Sequence, residues 1–155
     1  MKRLIIVYFL LITFLLAACS PKSTEPQPPE IIYGQDVCDT CQMIISDPKF
    51  ASALLLEGDV YLKFDDVGDM FVHQMNHPEL SVRAWFVHDY GSEQWLRGEN
   101  AVYVFSPDIT SPMDHGLAAF TDRAAAEAFA ARYADARVLT FDETRLHVHV
   151  VEHGN

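Results

Sequence analysis

Short apolar blocks separated by turn residues run along most of this chain. Residues 51–56 are apolar and are closed by Glu57-Gly58-Asp59, and a second apolar block follows at 60–64, the pattern of a β-hairpin. Asp65 and Asp66 then stand where a helix cap belongs. Val67, Met70, Phe71 and Met75 recur at helical spacing until His77-Pro78 stops them. Residues 82–88, rich in Val, Trp and Phe, predict the next strand. Residues 101–105 predict another, a loop with two prolines covers 106–116, and 117–120 is short and apolar. Thr121-Asp122 caps an Ala-rich helix predicted to run through Tyr133, and residues 137–141 predict a further strand. Val148, Val150 and Val151 interleave with His147 and His149, so 146–151 reads as one more strand by alternation.

Two stretches of this pattern match. Phe64-Asp65-Asp66 and Phe120-Thr121-Asp122 both read as strand end followed by helix cap, and they lie 56 positions apart. Val82 and Val138 open strands at the same offset. The expected fold is therefore α+β, two similar ββαβ units in tandem at about 44–92 and 100–142.

The N-terminus follows different rules. Lys2 and Arg3 precede an apolar run over 4–16, and Leu16-Ala17-Ala18-Cys19 closes it. A basic start, a short apolar run and small residues before a cysteine read as an export signal, too short for a comfortable permanent span. The 16–19 tetrad resembles the bacterial lipobox. The resemblance implies cleavage after residue 18, acylation of Cys19 and anchoring through several acyl chains. Ser20 after the cysteine favours the outer membrane. Residues 21–30, PKSTEPQPPE, read as an extended tether, so the divisions are 1–18 signal, 19–30 lipidated cysteine and linker, and 31–155 folded domain.

Charge narrows the partners. The chain carries 22 acidic against 11 basic residues, a net −11, and losing Lys2 and Arg3 with the signal makes it −13. No basic patch is available for nucleic acid. No glycine-rich phosphate loop is present.

With Cys19 assigned to the anchor, Cys38 and Cys41 remain as a C-x-x-C pair. An exported pair ordinarily forms a disulfide, but so short a loop gains little from closure. Redox exchange and soft-metal binding are the other roles. Zinc lacks a second pair or finger-spaced histidines. Met43 lies two residues beyond Cys41, and on an extended chain positions 41 and 43 face the same way. Thiolate and thioether sulfur together select copper(I). Met43 is equally compatible with core packing, since Ile44 and Ile45 follow it. In the 106–116 loop Met113 and His115 alternate in the same manner. Asp65, Asp66 and Asp69 hint at a hard-cation site, but helix capping accounts for the first two. His73, His77 and His88 have no evident sequence partner, and His147, His149 and His153 hint only at adventitious metal binding.

These motifs, in order, resemble the nitrous-oxide-reductase accessory lipoprotein family, NosL. The family pattern is a lipobox, Cys-x-x-Cys-Gly-Met, an apolar hairpin, Phe-Asp-Asp, and Ser-Pro-Met-Gly before the final helix. Here the elements are 16–19, 38–43, 64–66 and 111–113. The resemblance implies a periplasmic copper(I) chaperone, not an enzyme, supplying the copper centres of nitrous oxide reductase, or a related copper enzyme, through assembly partners at the membrane. It implies Cys41, Met43 and Met113 as ligands, with Cys38 and His115 as further candidates. Gln42 and Asp114 replace the two family glycines, which puts the loop geometry in question. Two other readings compete, a C-x-x-C thiol-disulfide oxidoreductase and a metal-free envelope scaffold lipoprotein.

Overall fold

The computed structural model describes residues 25–153. The signal, the lipobox and Cys19 lie outside them. Two antiparallel sheets organise the chain. Sheet one holds β1 (Ser52–Leu56), β2 (Tyr61–Phe64), β3 (Val82–His88) and β4 (Trp95–Arg97) in the order β2-β1-β3-β4. Sheet two holds β5 (Val102–Phe105), β6 (Leu117–Phe120) and β7 (Arg137–Leu139) in the order β6-β5-β7. Helix α1 (Val67–Asn76) connects β2 to β3, α2 (Arg123–Ala130) connects β6 to β7, and α3 (Phe141–His153) closes the chain.

The tandem arrangement is present. In each unit the first strand is central, pairs antiparallel with the second, and takes the third on its other side after the helix. The units are tied just beyond the end of β3: Tyr90 N–H donates to the Ala119 carbonyl at 2.8 Å and Thr121 N–H to Asp89 Oδ1 at 2.8 Å. β4 had no separate sequence signal, being three residues long.

The main core lies between the sheets, where Leu54, Phe64 and Trp85 of sheet one meet Met70 and Phe71 of α1 and Tyr103 and Leu117 of sheet two. A second core joins sheet two to α2 through Val104, Phe120, Ala126 and Phe129. Chain from Glu25 onward already lies against the protein: Pro29 is buried, and the Tyr61 hydroxyl donates to the Gln27 carbonyl at 2.7 Å.

Three expectations fail. Residues 146–151 are not a strand but the middle of α3. Thr144 and Val148, four apart, are buried, while Leu146, Val150 and Val151 are exposed, so the burial period is helical. The helix start was written in the sequence as a capping box: Thr140 N–H and Oγ1 donate to Glu143 Oε2 at 2.7 and 2.8 Å. Strand β7 accordingly stops at Leu139 rather than 141, and α2 ends at Ala130, short of Tyr133. Among the described residues no helix is long and apolar enough to cross a membrane.

Candidate metal centre

The start of α1 brings together three buried carboxylates, and each has a separate task. Asp66 is the N-cap, its Oδ1 accepting from Gly68 N–H at 2.7 Å. Its Oδ2 accepts from the Ser111 hydroxyl at 2.5 Å and from Met113 N–H at 3.0 Å, which fastens the 106–116 loop to the helix end. Asp65, also expected as a cap, turns instead to the cysteine loop, where its Oδ1 accepts from the Cys41 thiol at 3.3 Å. Asp69 stands one turn further along. One oxygen lies 3.6 Å from Cys38 Sγ and the other 2.9 Å from His115 Nε2.

The cysteines sit at the tip of a small hairpin closed by the Val37–Ile44 bridge. Cys38 N–H donates to the Met43 carbonyl at 2.8 Å, and Gln42 N–H to the Cys38 carbonyl at 3.1 Å. Asp39 locks this hairpin to β2 in both directions, donating from N–H to the Lys63 carbonyl at 2.8 Å and accepting Lys63 N–H at Oδ2 at 2.6 Å. Gln42 adopts φ 63°, so 41–43 is a turn, and the alternation argued for Cys41 and Met43 does not apply. Asp114 adopts φ 56°. Both replacements of the family glycines therefore keep the left-handed conformation that glycine would take freely. At position 42 the side chain helps, its amide donating to the Cys38 and Asp39 carbonyls at 3.2 and 3.4 Å.

Four ligand atoms, the Cys38 and Cys41 sulfurs and a carboxylate oxygen each from Asp65 and Asp69, lie within 4.8 Å of one another. Both thiols are free, Cys38 fully buried and Cys41 partly so. Burial pushes both thiols above their ordinary pKa, and for Cys41 the neighbouring Asp65 carboxylate adds to the rise. A redox C-x-x-C needs the opposite, an accessible sulfur with a lowered pKa. Burial also raises Asp66, against the hydrogen bonds from Ser111 and Met113.

Of the residues singled out from sequence, Cys38, Cys41 and His115 are thus brought together around Asp65 and Asp69. Met43 and Met113 are not in the buried cluster: they are 44% and 37% exposed, on the hairpin and on the Asp66-anchored loop. Asp65 and Asp69 were missed as site residues. Carboxylates at a helix start ordinarily face water and serve the helix dipole, so residue type and spacing gave no signal for them. Gly68 was missed as well. A Cβ there would stand 2.2 Å from His115 Cγ, so the imidazole reaches Asp69 only over a bare helix backbone.

Comparison with known proteins agrees with this picture. No curated protein matches the chain in sequence. A crystal structure of the copper chaperone NosL from Shewanella denitrificans superposes with a TM-score of 0.66 at 22% identity, covering 77% of this chain and 96% of that one. This likeness is one of fold. The sequence profile of the NosL family matches residues 29–148, which include both ββαβ units, the cysteine hairpin and the 106–116 loop, and the chain belongs to that family.

Proposed function

We propose that this protein is a copper(I) chaperone, anchored by lipid on Cys19 at the periplasmic side of the bacterial envelope. It supplies copper for maturation of nitrous oxide reductase or a related copper enzyme. The observation that carries the reading is the unbridged Cys38–Cys41 pair within 4.8 Å of two carboxylates. Family membership and the likeness to the Shewanella copper chaperone support it.

Copper is cargo here. When copper(I) enters, each coordinating thiol gives up its proton, and the two S–H groups are directed at Asp69 and Asp65. Burial keeps the thiols protonated until a cation replaces the proton. Thiolate sulfur supplies softness. His115, oriented by Asp69, and the exposed thioethers of Met43 and Met113 offer neutral donors at the rim, from which an ion passes to a partner by ligand exchange. The acidic surface suits a basic partner.

Competition titration of the purified protein with copper(I) under reducing conditions tests the reading. One tightly bound equivalent is expected, lost in Cys41→Ser. Met43→Ala and Met113→Ala should weaken it less. Absence of tight binding in the unmodified protein would overturn the reading.

A further inference from the structure

A second pair of soft donors lies outside the cysteine site. His149 Nδ1 on α3 is 3.3 Å from Met75 Sδ on α1, although the residues are 74 positions apart. They share a cleft of about 410 Å³, with Phe71 and Leu146 among its apolar lining and Arg145 and Gln74 its polar neighbours. His149 is exposed and Met75 half-buried, so the pair is reachable from solvent.

We propose that Met75 and His149 form an accessory surface site for a soft monovalent cation, copper(I) or silver(I). The chemistry of the two atoms argues for this. If Nδ1 carries the ring proton, the contact is only a weak N–H···S hydrogen bond. In the other neutral tautomer two lone pairs face each other, and a cation is their natural common partner. Thioether and imidazole are both ligands that copper(I) accepts, and neither must lose charge to bind. Among the described residues no carboxylate lines the cleft. Arg145, which reaches Gln74 Oε1 at 3.4 Å and lies over the Trp85 and Phe141 rings, adds positive charge that weighs against a divalent ion more than a monovalent one. The site would sit near the C-terminal end of α1, roughly 9 Å along the axis from Asp69 in its first turn.

The pair exists whether or not the cysteines hold copper; its use as a first capture point for cargo rests on the proposed function. Silver(I), diamagnetic and redox-inert, tests it. The purified full chain, reduced and labelled at the methionine methyls, is titrated from zero to three equivalents. The expected result is a methyl shift at Met75 and ring shifts at His149 that saturate together, in the unmodified protein and in Cys38→Ser/Cys41→Ser alike. Met75→Leu and His149→Ala should each weaken that equivalent at least tenfold while leaving the first, cysteine-dependent one unchanged. An unmoved Met75 methyl at three equivalents would overturn the proposal, as would equal affinity of that equivalent in both variants. Failure of the proposed function shows differently, as loss of the cysteine-dependent equivalent with the Met75 shift intact.

Discussion

The two ββαβ units share a plan but not a chemistry. Both run strand, strand, capped helix, strand, with caps at Asp66 and Asp122, 56 positions apart. At the same offset, Asp65 corresponds to Thr121, Gly68 to Ala124 and Asp69 to Ala125. Asp122 is an exposed cap with one job, accepting from Ala125 N–H at 2.8 Å. Asp66 is fully buried and holds a loop from the other unit as well. The helix turn that in the second unit merely starts a helix becomes, by three replacements in the first unit, one wall of a metal centre. The scaffold tolerates this because the cap aspartate is kept and the pairs Phe64 and Phe120, Met70 and Ala126 stay buried at matching positions.

The largest effect should separate the two caps. Asp66→Ala leaves Gly68 N–H, Ser111 Oγ and Met113 N–H without their acceptor, and loss of hydrogen bonds to a buried charged group should cost about 3 kcal/mol. Asp122→Ala should cost about 1 kcal/mol, the ordinary worth of a cap. Urea denaturation measures both. Equal losses would mean that the first unit's cap does no more than the second's.

The next contrast exchanges the small residues. In Gly68→Ala the new Cβ would meet the His115 side chain, at 2.2–2.6 Å from its Cβ, Cγ and Cδ2, so the ring must leave Asp69. Copper(I) affinity should then fall about tenfold, the scale of lost orientation around a ligand. Ala124→Gly should cost about 1 kcal/mol of stability through helix propensity and leave affinity unchanged. Unchanged affinity in Gly68→Ala would remove His115 from the site.

Acid should loosen the first unit through His88. This residue ends β3 buried, its Nδ1–H directed to the Ala51 carbonyl at 2.9 Å, Nε2 accepting from the Tyr33 hydroxyl at 3.2 Å, and its ring against Trp95. Burial lowers its pKa below the ordinary histidine value. The unfolded chain therefore binds the proton more readily, so stability is complete above about pH 6.5 and declines as pH falls toward the folded value. One proton sets a ceiling of about 1.4 kcal/mol per pH unit on that slope. Denaturation midpoints between pH 7.5 and 5.5 should show the decline, and His88→Gln should flatten it. His73 and His147, lowered for the same reason, contribute in the same direction and leave a residual slope in that variant.

The repeat was legible because the signals that build it are local: a cap, an apolar period, a turn. Even the 56-residue offset could be read, since Phe64-Asp65-Asp66 and Phe120-Thr121-Asp122 carry it directly. Helix α3 was misread because its Val and His residues alternate over a short stretch, whereas its burial follows Thr144 and Val148; the Thr140–Glu143 capping box held the answer. The cysteines and His115 could be singled out by residue type and family pattern. Asp65 and Asp69 could not, because a carboxylate in a first helical turn usually faces water and serves the helix dipole. Only the tertiary fold, which lays the cysteine hairpin across that turn, makes them site residues. The argument that Met43 faces the same way as Cys41 fails for a related reason: alternation presumes extended chain, and Gln42 adopts a left-handed conformation.

That turn gives the smallest expected effect and the finest test of which region dictates the site. Gln42 and Asp114 hold φ of 63° and 56° in the two loops that flank the first unit's helix. A side chain in the left-handed region costs about 1–2 kcal/mol. At position 42 the amide's two bonds to the Cys38 and Asp39 carbonyls return part of that. Gln42→Gly removes the strain and the compensation together, so it should stabilise the protein by less than about 1 kcal/mol. Asp114 makes no comparable side-chain bond among those that hold the loop, which is fastened by its neighbours' contacts to Asp66, so Asp114→Gly should stabilise somewhat more. Copper(I) affinity should stay within twofold in both variants, because Asp66 and Asp39, rather than the turn residues, hold the loops against α1 and β2. A large drop in affinity in Gln42→Gly would locate control of the geometry in the hairpin itself, and the first unit would then be a platform for the site rather than its organiser.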